Sequence, residues 1–116
     1  MSFLKLASSG QVDQAYGDAY LADHFRHHNP RFPGETSALA RAIKQNADEH
    51  PDAVYEIQRT LEDGDLVAVH ARTRLDPGGP ELAAVHIFRF ENGRIAELWD
   101  VVAPIPEDSP NKNGAF

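Results

Sequence analysis

The chain has 116 residues, 41% of them hydrophobic, and a formal net charge of -7. That length suits one domain with a real core, and the negative field argues against nucleic acid or an anionic membrane surface as partner. Cysteine is absent, which excludes a disulfide framework, a thiolate nucleophile and a cysteine metal site; with no signal-peptide pattern at the start and no apolar run near ~20 residues, a cytoplasmic location is expected.

Short helices are predicted over 3–7 and 12–21, the second with Val12, Ala15, Tyr16 and Ala19 on one face. The stretch 23–34 contains Pro30, Pro33 and Gly34 and reads as a loop. Thr36 or Ser37 is positioned to cap a third helix that ends at Pro51, with Leu39, Ala40, Ile43 and Ala47 as its buried stripe. From residue 53 the hydrophobic period becomes two. Strands are predicted over 53–62, 65–75, 81–91 and 94–103, separated by Asp63-Gly64, a proline–glycine loop over 76–80, and Asn92-Gly93. The tail 104–116 is expected to be irregular, with Phe116 tucked into a groove. Helices followed by a strand meander give an α+β class, and neither repeats nor a second domain are visible.

The turns set an expected register. If Glu62 faces Asp65, Leu75 faces Glu81 and Glu91 faces Arg94, one cross-strand row reads Ile57, His70, His86, Trp99, with Phe88 and Glu97 on the same face. Asp100 falls on the opposite face with Val69, Ala71, Val85, Ile87 and Leu98. A bulge would invert these assignments. Both faces are substantially apolar, and three helices cover only one of them well. A homodimer through the other face is therefore expected; the alternative is a monomer whose tail covers the sheet.

Three runs carry a family resemblance: the hairpin over 87–101 around Asn92-Gly93 and Trp99-Asp100, the strand over 62–70 ending in His70, and His28-Asn29-Pro30 followed by Pro33-Gly34. In order and spacing the chain resembles SnoaL-like polyketide cyclases of the NTF2-like superfamily. The resemblance implies a single domain over 1–116: an α+β cone, or cystatin-like roll, in which a curved, mostly antiparallel sheet wraps around N-terminal helices and encloses an apolar pocket. It also implies a dimer through the sheet. Relatives of this fold include cyclases, ketosteroid isomerases, dehydratases, epoxide hydrolases and binding modules, so fold alone does not assign chemistry. Many relatives have Asp where this chain has His86 and His where it has Leu98. The acid of the aldol-type cyclases lies near the position of Ala103.

Candidate chemistry centres on His70 and His86. One imidazole would remove a proton alpha to a carbonyl while the other donates to the enolate oxygen. Asp100 is the nearest carboxylate and the third catalytic candidate. Trp99, His28, Asn29, Phe88 and Tyr55 are the candidate contacts for a small apolar or cyclic molecule, with His28 and Asn29 near the pocket mouth. The competing reading makes both histidines structural and has Asn29 bonding backbone before Pro30. No spacing of ligands supports a metal, and no cofactor is expected. The functional expectation is a cofactor-free isomerase, cyclase or dehydratase acting on a polyketide-like carbonyl compound. The alternative is a non-catalytic ligand-binding or interaction module.

Overall fold

The computed structural model describes residues 21–31 and 34–116; the helices expected over 3–7 and 12–21 lie outside them, apart from residue 21. The elements are β1 (Leu21–His27), α1 (Thr36–Glu49), β2 (Val54–Asp63), β3 (Leu66–Arg74), β4 (Glu81–Glu91) and β5 (Arg94–Pro104). They form a five-stranded sheet in the order β1-β5-β4-β3-β2. Only β1 runs parallel to its neighbour; the other pairs are antiparallel. Among the described residues, no helix is long and apolar enough to cross a membrane.

Helix α1 and the four-strand meander lie where the sequence predicts. The helix begins after Glu35, which makes no side-chain cap, rather than after Thr36 or Ser37. Leu39 is fully buried, and Ala40, Ile43 and Ala47 are half-buried. β1 corrects the expected loop. Its Leu21, Phe25 and His27 are buried, whereas His24 and Arg26 face solvent. So polar a strand reads as a loop, and its partner β5 is distant in sequence.

The Asn92-Gly93 turn is as expected. Both residues have positive φ, 51° and 80°, as a type I′ hairpin requires. The register beyond it is not. Phe90 pairs with Ile95, but Arg89 pairs with Glu97, so Ala96 is an extra residue. Such a bulge inverts the faces of the rest of β5. Asp63 pairs with Leu66, which moves the first turn to Gly64-Asp65, and a second bulge falls between Ile57 and Arg59. In the middle hairpin Arg74, not Leu75, pairs with Glu81.

The expected row Ile57, His70, His86, Trp99 is therefore split. The inner face carries Ile57, Val69, Ala71, Ala84, His86, Phe88, Leu98 and Asp100; the outer face carries Arg59, His70, Val85, Ile87, Glu97 and Trp99. The inner face builds the core from Val69, Phe88 and Leu98 with Ile95 and with Leu21 and Phe25 of β1. Tyr55, Ile57, Val67 and Phe90 pack against that cluster.

Candidate functional site

The bulge at Ala96 brings Asp100 opposite His86 on the inner face. His86 Nδ1 lies 2.6 Å from Asp100 Oδ1, and their side chains are only 15% and 10% exposed. An ionised carboxylate only accepts, so Nδ1 carries the proton and donates it. That leaves Nε2 as a lone-pair acceptor. Nε2 is buried and, among the described residues, has no hydrogen-bond partner.

Tyr55 stands beside this pair, its ring centre 5.9 Å from that of His86. Its hydroxyl is also buried without a partner among the described residues. Burial, and then the negative charge of Asp100, push the phenol well above its ordinary value of 10.0. Tyr55 is thus a neutral donor throughout the physiological range. Phe88, two residues along β4 on the same face, is fully buried with its ring centre 6.3 Å from that of His86. Asn29 comes from the end of β1, and its Nδ2 donates to Asp100 Oδ2 at 3.2 Å. Its Oδ1 accepts from the backbone N–H of Arg31 at 3.0 Å, the turn-forming role expected of an Asn before proline.

Of the eight residues singled out, five therefore converge on the inner face: His86, Asp100, Asn29, Tyr55 and Phe88. The other three lie on the outer face. His70 meets the guanidinium of Arg59 through Nδ1 and stacks obliquely on Phe116, 5.3 Å away. Trp99 stacks on His28 at 5.0 Å with the planes 8° apart. His70 and His86 are not the expected pair, because the middle hairpin is offset by one residue. Asp100 is the partner of His86, not a residue of the opposite face. The one mark the bulge leaves in the sequence is the consecutive apolar pair Ile95-Ala96 in a period-two strand, and both residues are buried. A separate cleft of about 350 Å³ is lined by Val54, Glu56, Arg72, Thr73, Arg74 and Glu81 and shares no residue with this pair.

Two titration results follow. A phenol whose folded value exceeds its unfolded value contributes stability that is fully present below pH 10.0 and lost as pH rises toward the folded value. We expect an ultraviolet titration of the three tyrosines to show a late-ionising phenol that Tyr55→Phe removes, along with part of the alkaline loss of stability. If the Tyr55→Phe titration keeps the late phenol, Tyr55 is not the buried one. On the outer face, Glu97 sits below its ordinary 4.5 because His28 and then Arg89 hydrogen-bond it, and Glu91 is lowered in the same way by His24 and Arg89. Their stabilisation is present above 4.5 and lost as pH falls through the lowered folded values. Glu97→Gln should flatten the acid limb of a urea-midpoint profile; an unchanged limb would remove Glu97 from the account.

Residues 3–98 match the family model of the SnoaL-like domain. The chain belongs to the SnoaL-like domain family. Its fold is NTF2-like: an NTF2-like protein of unknown function from Cytophaga hutchinsonii superposes with a TM-score of 0.68 at 16% identity, covering 87% of this chain and 83% of that one. IdmH from Streptomyces antibioticus, a candidate polyketide cyclase, gives 0.66 at 20% identity, with 87% of each chain covered. AclR from Streptomyces galilaeus, a candidate hydroxylase, gives 0.69 at 15% identity, covering 87% and 76%. No curated protein matches. At these identities the likeness is one of fold, and the chemistry of this SnoaL-like domain has to be argued from its own side chains.

Proposed function

We propose that this SnoaL-like domain is a cofactor-free acid–base enzyme acting on a small apolar or cyclic carbonyl compound. The observation that carries this reading is the Nε2 of His86, buried and unpartnered among the described residues, and backed through Nδ1 by Asp100. A neutral imidazole in that state is a base with its lone pair ready and its conjugate acid stabilised. His86 Nε2 takes the proton from the carbon alpha to the carbonyl, and Asp100 stabilises the imidazolium that results. The Tyr55 hydroxyl donates to the carbonyl oxygen as negative charge develops on it. Return of the proton from His86 to another carbon completes an isomerisation. Attack of the enolate carbon on a second carbonyl, with the His86 proton passing to the new alkoxide, completes a cyclisation; loss of a β-hydroxyl that takes the same proton to leave as water completes a dehydration.

The test is α-proton exchange of β-tetralone in deuterium oxide, followed by proton NMR. The protein should exceed the same concentration of free imidazole severalfold, saturably in ketone. Saturable binding without exchange across a panel of cyclic ketones would favour a ligand-binding module instead.

We further propose that two copies pair through the outer face of the sheet. Leu61 and Val101 are 66% and 65% exposed there, and half-buried Val85 and Ile87 lie on the same face. Apolar patches of this kind mark interfaces, and like faces pair by two-fold symmetry. Light scattering should give twice the monomer mass, and Val101→Asp should return it to the monomer value. A native mass of one chain at micromolar concentration would sink the pairing.

A further inference from the structure

The end of β1 grips β5 from both sides of the sheet. The backbone N–H of His28 donates to the carbonyl of Leu98 at 2.8 Å, which carries the parallel ladder one residue past the strand. The next two side chains then point to opposite faces. His28 lies outside, stacked flat on Trp99, with Nε2 2.8 Å from Glu97 Oε2. Glu97 is held in turn by Arg89 Nε at 3.0 Å. Asn29 lies inside, on Asp100 Oδ2. Two adjacent residues thus hold two adjacent residues, Trp99 and Asp100, from opposite faces.

The consequence for the carboxylate is geometric. His86 holds only Oδ1. A carboxylate held by one oxygen swings about its last torsion, which is broad and weakly restrained. A second donor on Oδ2 fixes the plane. Asn29 is itself fixed: its Oδ1 accepts from Arg31, its backbone N–H donates to His27 Nδ1 at 3.2 Å, and Pro30 follows it.

We propose that His28 and Asn29 are positioning residues that clip the Trp99-Asp100 dipeptide and thereby hold His86 in its Nδ1–H tautomer. This deepens the acid–base reading above and rests on it. Neither residue takes part in proton transfer. Asn29 sets the carboxylate, and His28 sets the strand segment that bears it. A donor-bearing group that orients the partner of a base is also what fixes tautomers in other imidazole sites.

The test reads the tautomer directly, with no substrate. Long-range proton–nitrogen NMR at mildly alkaline pH should show His86 of the native protein as one species, protonated at Nδ1. Asn29→Ala and Asn29→Asp should turn that single species into a mixture with the Nε2–H form. Asp is the sharper probe, because it keeps the size, removes the donor and sets a second carboxylate against Asp100. His28→Ala should do the same to a smaller extent and shift the emission of Trp99, the one tryptophan in the chain. A backbone amide spectrum that is otherwise native distinguishes this from general loosening.

Retention of the pure Nδ1–H species in both Asn29 variants would overturn the clip and leave the acid–base reading standing. Protonation of His86 at Nε2 in the native protein would overturn both. Should the Asn29 variants fail to fold, His28→Ala decides: an altered Trp99 emission with an unaltered His86 tautomer rejects the clip, and a change in both supports it.

Discussion

Replacing His86 by Gln should lower α-proton exchange by roughly 10²–10⁴-fold, the usual contribution of a positioned general base. Gln keeps a polar side chain of similar reach but has no basic nitrogen. Asp100→Asn should cost a comparable factor by a different route. An Asn amide can donate to Nδ1, which would move the imidazole proton to Nε2 and block the lone pair that the reaction needs. Tyr55→Phe removes the donor to the developing enolate and should cost ~10²–10³-fold, since the hydroxyl acts in a water-poor site. The three losses should not add, because the groups act as a unit. Exchange rates in β-tetralone check all three. A His86→Gln variant as fast as native would place the base elsewhere, whatever Asp100→Asn did.

The residues of this site were visible in the sequence; their arrangement was not. His86, Phe88 and Asp100 belong to the apolar hairpin around Asn92-Gly93, Asn29 to a proline-bounded stretch, and Tyr55 to the first predicted strand. What joined His86 to Asp100 was one extra residue, Ala96. Period-two reasoning carries a face assignment along a strand only while the pairing is unbroken. Here the one-residue offset of the middle hairpin moved His70 to the outer face, and the bulge at Ala96 moved Trp99 to the outer face and Asp100 to the inner one. The strands themselves were legible because each run is bounded by glycine, proline or Asn-Gly. β1 was not, because its outward side chains are charged or imidazole and its partner lies some 70 residues away. The bulge and the clip at Asn29 are thus long-range facts, set by pairing across the sheet rather than by local propensity.

Phe88→Ala should destabilise the fold by ~3–5 kcal/mol, a large share of the ~5–15 kcal/mol available to a domain of this size. The ring is fully buried. It lies between Val67 and Leu98 in the neighbouring strands and shares a cluster with Leu21, Phe25, Val69 and Ile95. Strands paired on both sides relax poorly into a void, so the cavity term adds to the lost transfer free energy. Phe88→Leu keeps most of the volume and should cost markedly less, ~1–1.5 kcal/mol. Urea unfolding separates the two, provided the slope of the transition is unchanged. The ring also lies beside that of His86, two residues along the same strand and 6.3 Å away between centres. Loss of that neighbour should therefore reduce exchange in the fraction that remains folded, beyond what the folded fraction alone predicts. An Ala variant that loses less than about 1 kcal/mol would mean that the core closes over the gap, and Phe88 would then count as a replaceable wall of the site rather than as its foundation.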